Sequence, residues 1–386
     1  MPSNSASIRP ARVEINLSQL RRNLSIISED MQRLNTQRNA PLRWCAVVKD
    51  DAYGHGAVAL AREVLIAGAS YLAVATLEEA VEIQEAKIRA PILIFGERPE
   101  NEIKECIRRD FTFFVNDAAQ AERVNRLCRQ LEKKAPVHLE IDTGMSRYGV
   151  RWTEARPALD TILSCDMIEL EGVMTHFAMS DELDKTFANE QFRRFKEVVG
   201  DPRNEKLAGK ILHTCNTGGY LDLPHAHLDM VRMGILPSGV YPSKVCRRIE
   251  GLAPIMSVKC KIAAIKNIEA GDTVGYGMRY RAESPRRIAV LPMGYGDGFP
   301  RVRNAGQVLI HGQRAPIIGG AAMDAMMVDI TNIPQARQWD EVVVLGRQGD
   351  QEISVHDLAA LTGTVSYDVM TKLGIRLPRV YVEGEF

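Results

Sequence analysis

One rhythm in the first two thirds of the chain constrains its fold more than any other feature. A short apolar run is followed by a stretch with helical periodicity, and the pair recurs eight times. The apolar runs lie at 44–49, 71–76, 91–96, 111–116, 137–143, 170–177, 210–217 and 228–234. The stretches that begin at Thr76 and Asn116 open with a capping residue and carry acidic residues in the first turn, the pattern of a helix start. Eight strand–helix units in series predict an α/β fold, a closed (β/α)8 barrel of the TIM type rather than an open sheet. The last two units are weaker, because 218–224 is short for a helix and is broken by Pro224.

After about residue 250 the texture becomes β-rich. Strands are expected over 256–268, 287–293, 307–318, 326–330 and 341–346, with a hairpin tip at His311-Gly-Gln. Two helices are expected over 355–361 and 366–373. The expected division is a disordered leader over 1–11, a barrel over 12–250 and a mainly β domain over 251–386. No Ser/Gly-rich or Pro-rich linker separates the two, so packed domains are expected.

Composition narrows the function. Lysine plus arginine and aspartate plus glutamate both number 49, so the chain has no net field to hold nucleic acid or an anionic membrane. No apolar run approaches the roughly 18 residues of a membrane span, and the polar start has no secretory core. Seven cysteines are scattered with no C-x-x-C pair, which points to reduced thiols and a cytoplasmic protein. His225-Ala-His227 has no third ligand at a matching spacing, so no metal is expected. Gly294-Tyr-Gly-Asp-Gly-Phe has the wrong spacing for a dinucleotide fingerprint.

In such a barrel the chemistry sits at the C-terminal ends of the strands. The polar residues there are Lys49, Asn116, Asp142, His176, Asn216 and Arg232. Any one of them could simply satisfy local backbone groups; six at one mouth are more than a scaffold needs. Lys49 ends the apolar run Trp44-Cys-Ala-Val-Val-Lys. Desolvation at that position would lower its pKa and make it a nucleophile toward carbonyl groups. An isolated lysine there would more simply be a snorkelling side chain. The following Asp50-Asp-Ala-Tyr-Gly-His-Gly, a loop leading into a helix, can bring backbone N–H groups and a hydroxyl to an anion.

Val48-Lys-Asp-Asp-Ala-Tyr-Gly-His-Gly resembles the cofactor-lysine signature of the alanine racemase family, with Asp50 and Asp51 where Ala and Asn are usual. Further segments match in order: Glu140-Ile-Asp-Thr-Gly-Met-Ser-Arg-Tyr-Gly, Thr175-His-Phe-Ala, His213-Thr-Cys-Asn-Thr, Met230-Val-Arg-Met-Gly-Ile, Val274-Gly-Tyr-Gly, Met293-Gly-Tyr-Gly-Asp-Gly and Met323-Asp. The opening Arg12-Val-Glu-Ile-Asn-Leu and closing Arg376-Leu-Pro-Arg also fit, so the resemblance spans nearly the whole chain.

The resemblance implies a pyridoxal-phosphate (PLP) isomerase that interconverts L- and D-alanine, a homodimer with shared active sites. It makes Lys49 both the cofactor's covalent carrier and one of two bases, and Tyr276 the other, acting from the partner subunit. It assigns the cofactor's phosphate to Tyr53, Thr217 and the backbone of Gly234 and Ile235. Arg232 faces the pyridine nitrogen, with His176, His213 and Asn216 around it. Arg147 and the backbone of Met323 receive the substrate.

Three positions depart from the family pattern. Glu140 stands where a lysine, carbamylated in some members, positions the arginine; a glutamate carries its charge without that modification. Gly320 replaces an arginine near the substrate's path, where Arg301 keeps another such residue. Ile375 replaces an aromatic residue. The last two leave serine or a longer amino acid as an alternative substrate. A PLP lyase or aldolase is a further alternative, but it does not need a second base such as Tyr276. A non-catalytic PLP-binding barrel would lack the β-domain.

Overall fold

The computed structural model describes residues 9–36, 40–200 and 207–384. It divides into two compact units. One comprises 23–52 and 57–252; the other comprises 1–22, 53–56 and 253–386. The leader expected over 1–11 falls largely outside the described residues, although Ala11 is buried.

The first unit is the barrel. Its eight parallel strands are Arg43–Val47, Tyr71–Val74, Ile92–Ile94, Thr112–Val115, Ala135–Asp142, Ile168–Met174, Ile211–His213 and Met230–Met233. They follow sequence order, and Met230–Met233 returns to pair with Arg43–Val47 in the register Val231↔Trp44. The seam between the last two strands is bridged at both ends. Asp229 N donates to Leu212 O and Arg232 N to Cys215 O, both at 2.9 Å. All eight apolar runs became strands, most of them apolar on both faces, one filling the barrel and one meeting helices; Ala135–Asp142 is the exception, with His138, Glu140 and Asp142 alternating on one face. The interior is packed by Cys45, Tyr71, Ala73, Leu93, Phe114, Met174, Ile211 and Met230.

The helix starts behave as capping chemistry requires. Thr76 and Glu79 form a reciprocal capping box ahead of Leu77–Glu85. The cap of Ala118–Gln130 is Asp117, one residue beyond the expected Asn116. The weak seventh and eighth units are short here too, a six-residue helix Thr217–Asp222 and a single turn Leu236–Ser238.

The second unit is mainly β. Among its described residues, ten strands form one sheet, running from Ala264–Ile268 at one edge to Arg379–Val382 at the other. The opening strand Arg12–Asn16 belongs to this sheet and not to the barrel. It pairs antiparallel with Met256–Lys261 and parallel with Arg379–Val382. The barrel expected to begin at residue 12 therefore lacks this segment. Glu14 pairs across strands with Lys259 at 2.9 Å, which helps explain that placement. Helices Val355–Ala360 and Ser366–Leu373 lie where expected. The small hairpin Thr273–Val274/Tyr280–Arg281 and the strands Gln351–Ile353 and Arg379–Val382 were not expected.

No helix among the described residues is long and apolar enough to cross a membrane. The seven cysteines are all free thiols.

Candidate active site

Arg232 organises the mouth of the barrel. It lies on the last strand and is 2% exposed. Its Nη1 donates to His213 Nδ1 at 3.0 Å and to His213 O at 3.3 Å. Its Nη2 donates to Thr175 O at 3.0 Å and Thr214 O at 3.1 Å, and faces His176 Nδ1 at 3.4 Å. Among the described residues, no group accepts from its Nε and no carboxylate forms an ion pair with it. A buried cation with a donor to spare and no counter-ion calls for an acceptor from outside the chain.

The groups in direct contact with that cation are neutral. Burial pushes His176 and His213 well below the usual histidine range, and the nearby Arg232 charge adds to it. Burial also pushes the Cys45 and Cys215 thiols up to about 12, so neither is a thiolate at neutral pH. Asn216 joins the array: its Nδ2 faces His176 Nε2 at 3.5 Å, and its Oδ1 accepts from Ser180 Oγ at 2.6 Å and Gly219 N at 3.0 Å. Thr217 Oγ1 accepts from Gly234 N at 3.3 Å, which brings together two of the segments assigned to a phosphate. Ile235, next to Gly234, is fully buried.

Lys49 departs from expectation. Its side chain is 37% exposed, with Nζ 3.9 Å from Asp50 Oδ2, so the strand end does not desolvate it. The reason is local. The strand stops at Val47, and residues 50–53 all have φ between 51° and 55°, a single left-handed turn. Such a turn costs L-residues roughly 1–2 kcal/mol each, and aspartate is among those that tolerate it best. The two departures from the family signature are braced there. Asp50 N donates to Glu79 Oε1, and Asp51 Oδ1 accepts from Ala57 N at 2.7 Å, tying the turn to the start of the next helix. Tyr53 ends the turn, and its ring packs edge-on against Tyr367 with centroids 5.6 Å apart.

Two of the six mouth residues serve the scaffold. Asn116 donates to Glu97 Oε1 at 2.7 Å. Asp142 Oδ1 accepts from the backbone of Gly144, Met145 and Ser146 at 2.9, 2.9 and 3.1 Å, building the turn that presents Arg147. Arg147 itself is exposed, with no hydrogen bond or ion pair among the described residues. Glu140, on the strand below, is 4% exposed. Burial pushes its carboxyl above the usual range, opposed by the charges of Arg147 and Arg232.

In the second unit, Tyr276 is 79% exposed at the tip of its hairpin. Gly275 and Gly277 flank it, both with φ of 74°. A Cβ on Gly275 would lie 3.0 Å from Gly320 N, so this hairpin packs on the segment after Gln313–Ile318, where the family's arginine is missing. Met323 is 54% exposed, and its carbonyl accepts from Gly296 N at 2.8 Å. Ile375 is 79% exposed, and Arg301 sits over the Tyr295 ring at 5.5 Å. The Gly294-Tyr-Gly-Asp-Gly run is a packing device: a Cβ on Gly294 would fall 2.1 Å from Ala322 O.

Two functional candidates escaped the sequence reading, His138 and Glu171. His138 is fully buried, and its Nδ1 lies 2.9 Å from His213 Nε2. It shares one strand face with Glu140 and Asp142 at a spacing of two, a signal that was available. Glu171 accepts from Thr112 Oγ1 at 3.1 Å and Tyr71 OH at 3.4 Å.

Comparison with known proteins agrees with the geometry. Residues 15–242 match the family "Alanine racemase, N-terminal domain" and 255–381 match "Alanine racemase, C-terminal domain". The alanine racemase of Syntrophobacter fumaroxidans is 41% identical, covering 94% of this chain and 95% of that protein. The solved alanine racemase of Clostridium difficile superposes with a TM-score of 0.89 at 35% identity, covering 97% of this chain and 96% of the other. That of Bartonella henselae, described with covalently bound pyridoxal phosphate, superposes with a TM-score of 0.85 at 26% identity, over 97% and 99%. Matched in both domains and over nearly its full length, the chain belongs to the alanine racemase family and with it to the amino-acid isomerases.

Proposed function

We propose that this protein interconverts L- and D-alanine with pyridoxal phosphate carried on Lys49, and that Lys49 and Tyr276 handle the proton at the two faces of Cα. The observation that carries the reading is the buried Arg232 guanidinium with an unused Nε–H and no carboxylate partner. That donor fits a pyridine nitrogen that accepts a hydrogen bond. The bound cofactor supplies an electron sink that acidifies the Cα–H of an amino acid.

Arg232 does not give up its proton near neutral pH, so it leaves that nitrogen unprotonated. The sink is then a muted one, and the proton returns to Cα, which favours racemisation over transamination. His176, His213 and Asn216 hold the guanidinium in place. Tyr53, Thr217 and the backbone of Gly234 and Ile235 bind the phosphate through hydroxyl and N–H donors. Arg147 and the Met323 backbone receive the substrate carboxylate, and Glu140 offsets the charge of Arg147 without carbamylation. One base removes the Cα proton while the other delivers one to the opposite face. The protein works as a cytoplasmic homodimer whose active sites are shared.

Borohydride treatment of the holoenzyme, followed by peptide mass analysis, tests the assignment of the carrier. The label is expected on Lys49 and is lost in Lys49→Ala. A label on another lysine defeats the reading.

A further inference from the structure

Arginine can only donate hydrogen bonds. Because Arg232 Nη1 donates to His213 Nδ1, that nitrogen must be the acceptor, and the proton of the neutral ring sits on Nε2. His213 Nε2 lies 2.9 Å from His138 Nδ1 and so donates to it. His138 must then carry its own proton on Nε2. That Nε2 is buried and has no hydrogen-bond partner, in a residue that is 0% exposed. The nearest carboxylate oxygen recorded for it is Glu171 Oε2, at 4.0 Å. The same oxygen already collects the hydroxyls of Thr112 and Tyr71, each the first residue of its strand. Glu171 therefore lies toward the N-terminal end of the barrel, its side chain one third exposed.

We propose that Glu171 is a positioning residue for the site at the opposite mouth. It ends a one-way chain of donors through the barrel interior, Arg232 to His213 to His138 to Glu171, and thereby fixes how Arg232 is held. The two links in place, Arg232 to His213 and His213 to His138, have one polarity only. With an anionic acceptor at the foot, His138 keeps its proton on Nε2 and leaves Nδ1 free for His213. Without one, the His138 Nε2–H is a buried donor with nothing to receive it, and it escapes that cost only by moving its proton to Nδ1, against the Nε2–H of His213. His213 can relieve that conflict only by surrendering the nitrogen that receives Arg232. The gap of 4.0 Å is beyond direct bond length and within reach of a small rotation of the Glu171 side chain. The inference rests on the reading that Arg232 faces the cofactor's ring nitrogen.

The test uses holoenzyme labelled with 15N-histidine, in which nitrogen shifts distinguish the two tautomers. In the wild type, His138 and His213 are both expected to carry the proton on Nε2. In Glu171→Leu, His138 shifts toward the Nδ1–H form and kcat falls by about tenfold, as for other residues that orient a site's ligands, with KM little changed. Glu171→Gln keeps a carbonyl acceptor and restores the tautomers and most of kcat. If Glu171→Leu does not fold, Glu171→Asp, which withdraws the acceptor by one methylene, replaces it with the same expectation.

A wild-type His138 protonated on Nδ1 overturns the proposal. So does a Glu171→Leu protein with wild-type tautomers, whatever its melting temperature, since a merely structural glutamate would change only the latter. Failure of the underlying reading looks different: the wild type would lack the visible band of a lysine-bound cofactor, while the tautomers would still report on the chain.

Discussion

Arg232 Nη1 lies 3.0 Å from His213 Nδ1, so a buried cation is held by an imidazole that must stay neutral to receive it. Protonation of His213 would set two donors against each other and put a second charge beside the first. Burial, reinforced by Arg232, pushes His176 and His213 well below the ordinary range and His138 down to about 3.

These three rings make folding sensitive to acid. In the unfolded chain, histidines take up protons as the pH falls through about 6.5; in the folded barrel they do not. Their contribution is fully present above that value and is lost as the pH falls below it, for His138 down to about 3. Melting temperature followed between about pH 7.5 and 5 should fall, and His138→Gln should flatten the slope. Parallel curves for the two proteins would contradict this.

Arg232→Lys keeps the charge and loses the planar fork. A lysine cannot serve three carbonyls, two imidazoles and a ring nitrogen from one plane. The expected loss in kcat/KM is about 10- to 100-fold, or roughly 1.4–2.7 kcal/mol, together with a lower melting temperature. Steady-state kinetics in both directions measure it; a change below threefold would show that the fork is dispensable.

Asp142→Ala removes an acceptor shared by three backbone N–H groups. The turn before Arg147 should loosen at a cost of about 1–3 kcal/mol. Amide exchange should speed up at Gly144, Met145 and Ser146, and KM should rise more than kcat falls. Unchanged exchange at those amides would assign the turn's rigidity to something else.

The barrel was legible because eight short apolar runs alternate with helical stretches, a rhythm that few other structures produce. The second-unit helices were legible from their periodicity. The placement of Arg12–Asn16 was not: a five-residue strand looks alike in either sheet, and only its partners, more than 240 residues away, decide. The state of Lys49 was misread because strand ends usually desolvate a lysine, whereas the left-handed turn at residues 50–53 leaves this one half-exposed. Arg232 and His176 were legible as strand-end polar residues, and His213 only through the family resemblance. His138 and Glu171 lie 33 positions apart, and no local pattern links two residues that meet only inside a closed barrel.

Glu140→Gln removes the buried negative charge beneath Arg147. KM for alanine should rise by about three- to tenfold, on the order of 1 kcal/mol. Because the wild-type charge does not depend on carbamylation, added bicarbonate should alter neither protein. Bicarbonate dependence in the wild type, or a carbamate on a lysine that contacts Arg147, would contradict the role given to Glu140.

The central claim is a two-base racemisation by Lys49 and Tyr276, and deuterium incorporation at Cα tests it most directly. Holoenzyme in D2O is given L-alanine, with L-serine and L-lysine in parallel. The account predicts D-alanine deuterated at Cα, and a Tyr276→Phe protein that keeps the cofactor's visible band but no longer forms the deuterated D-isomer. Inversion at the wild-type rate in Tyr276→Phe, or a cofactor band with no inversion of any of the three amino acids, would contradict it.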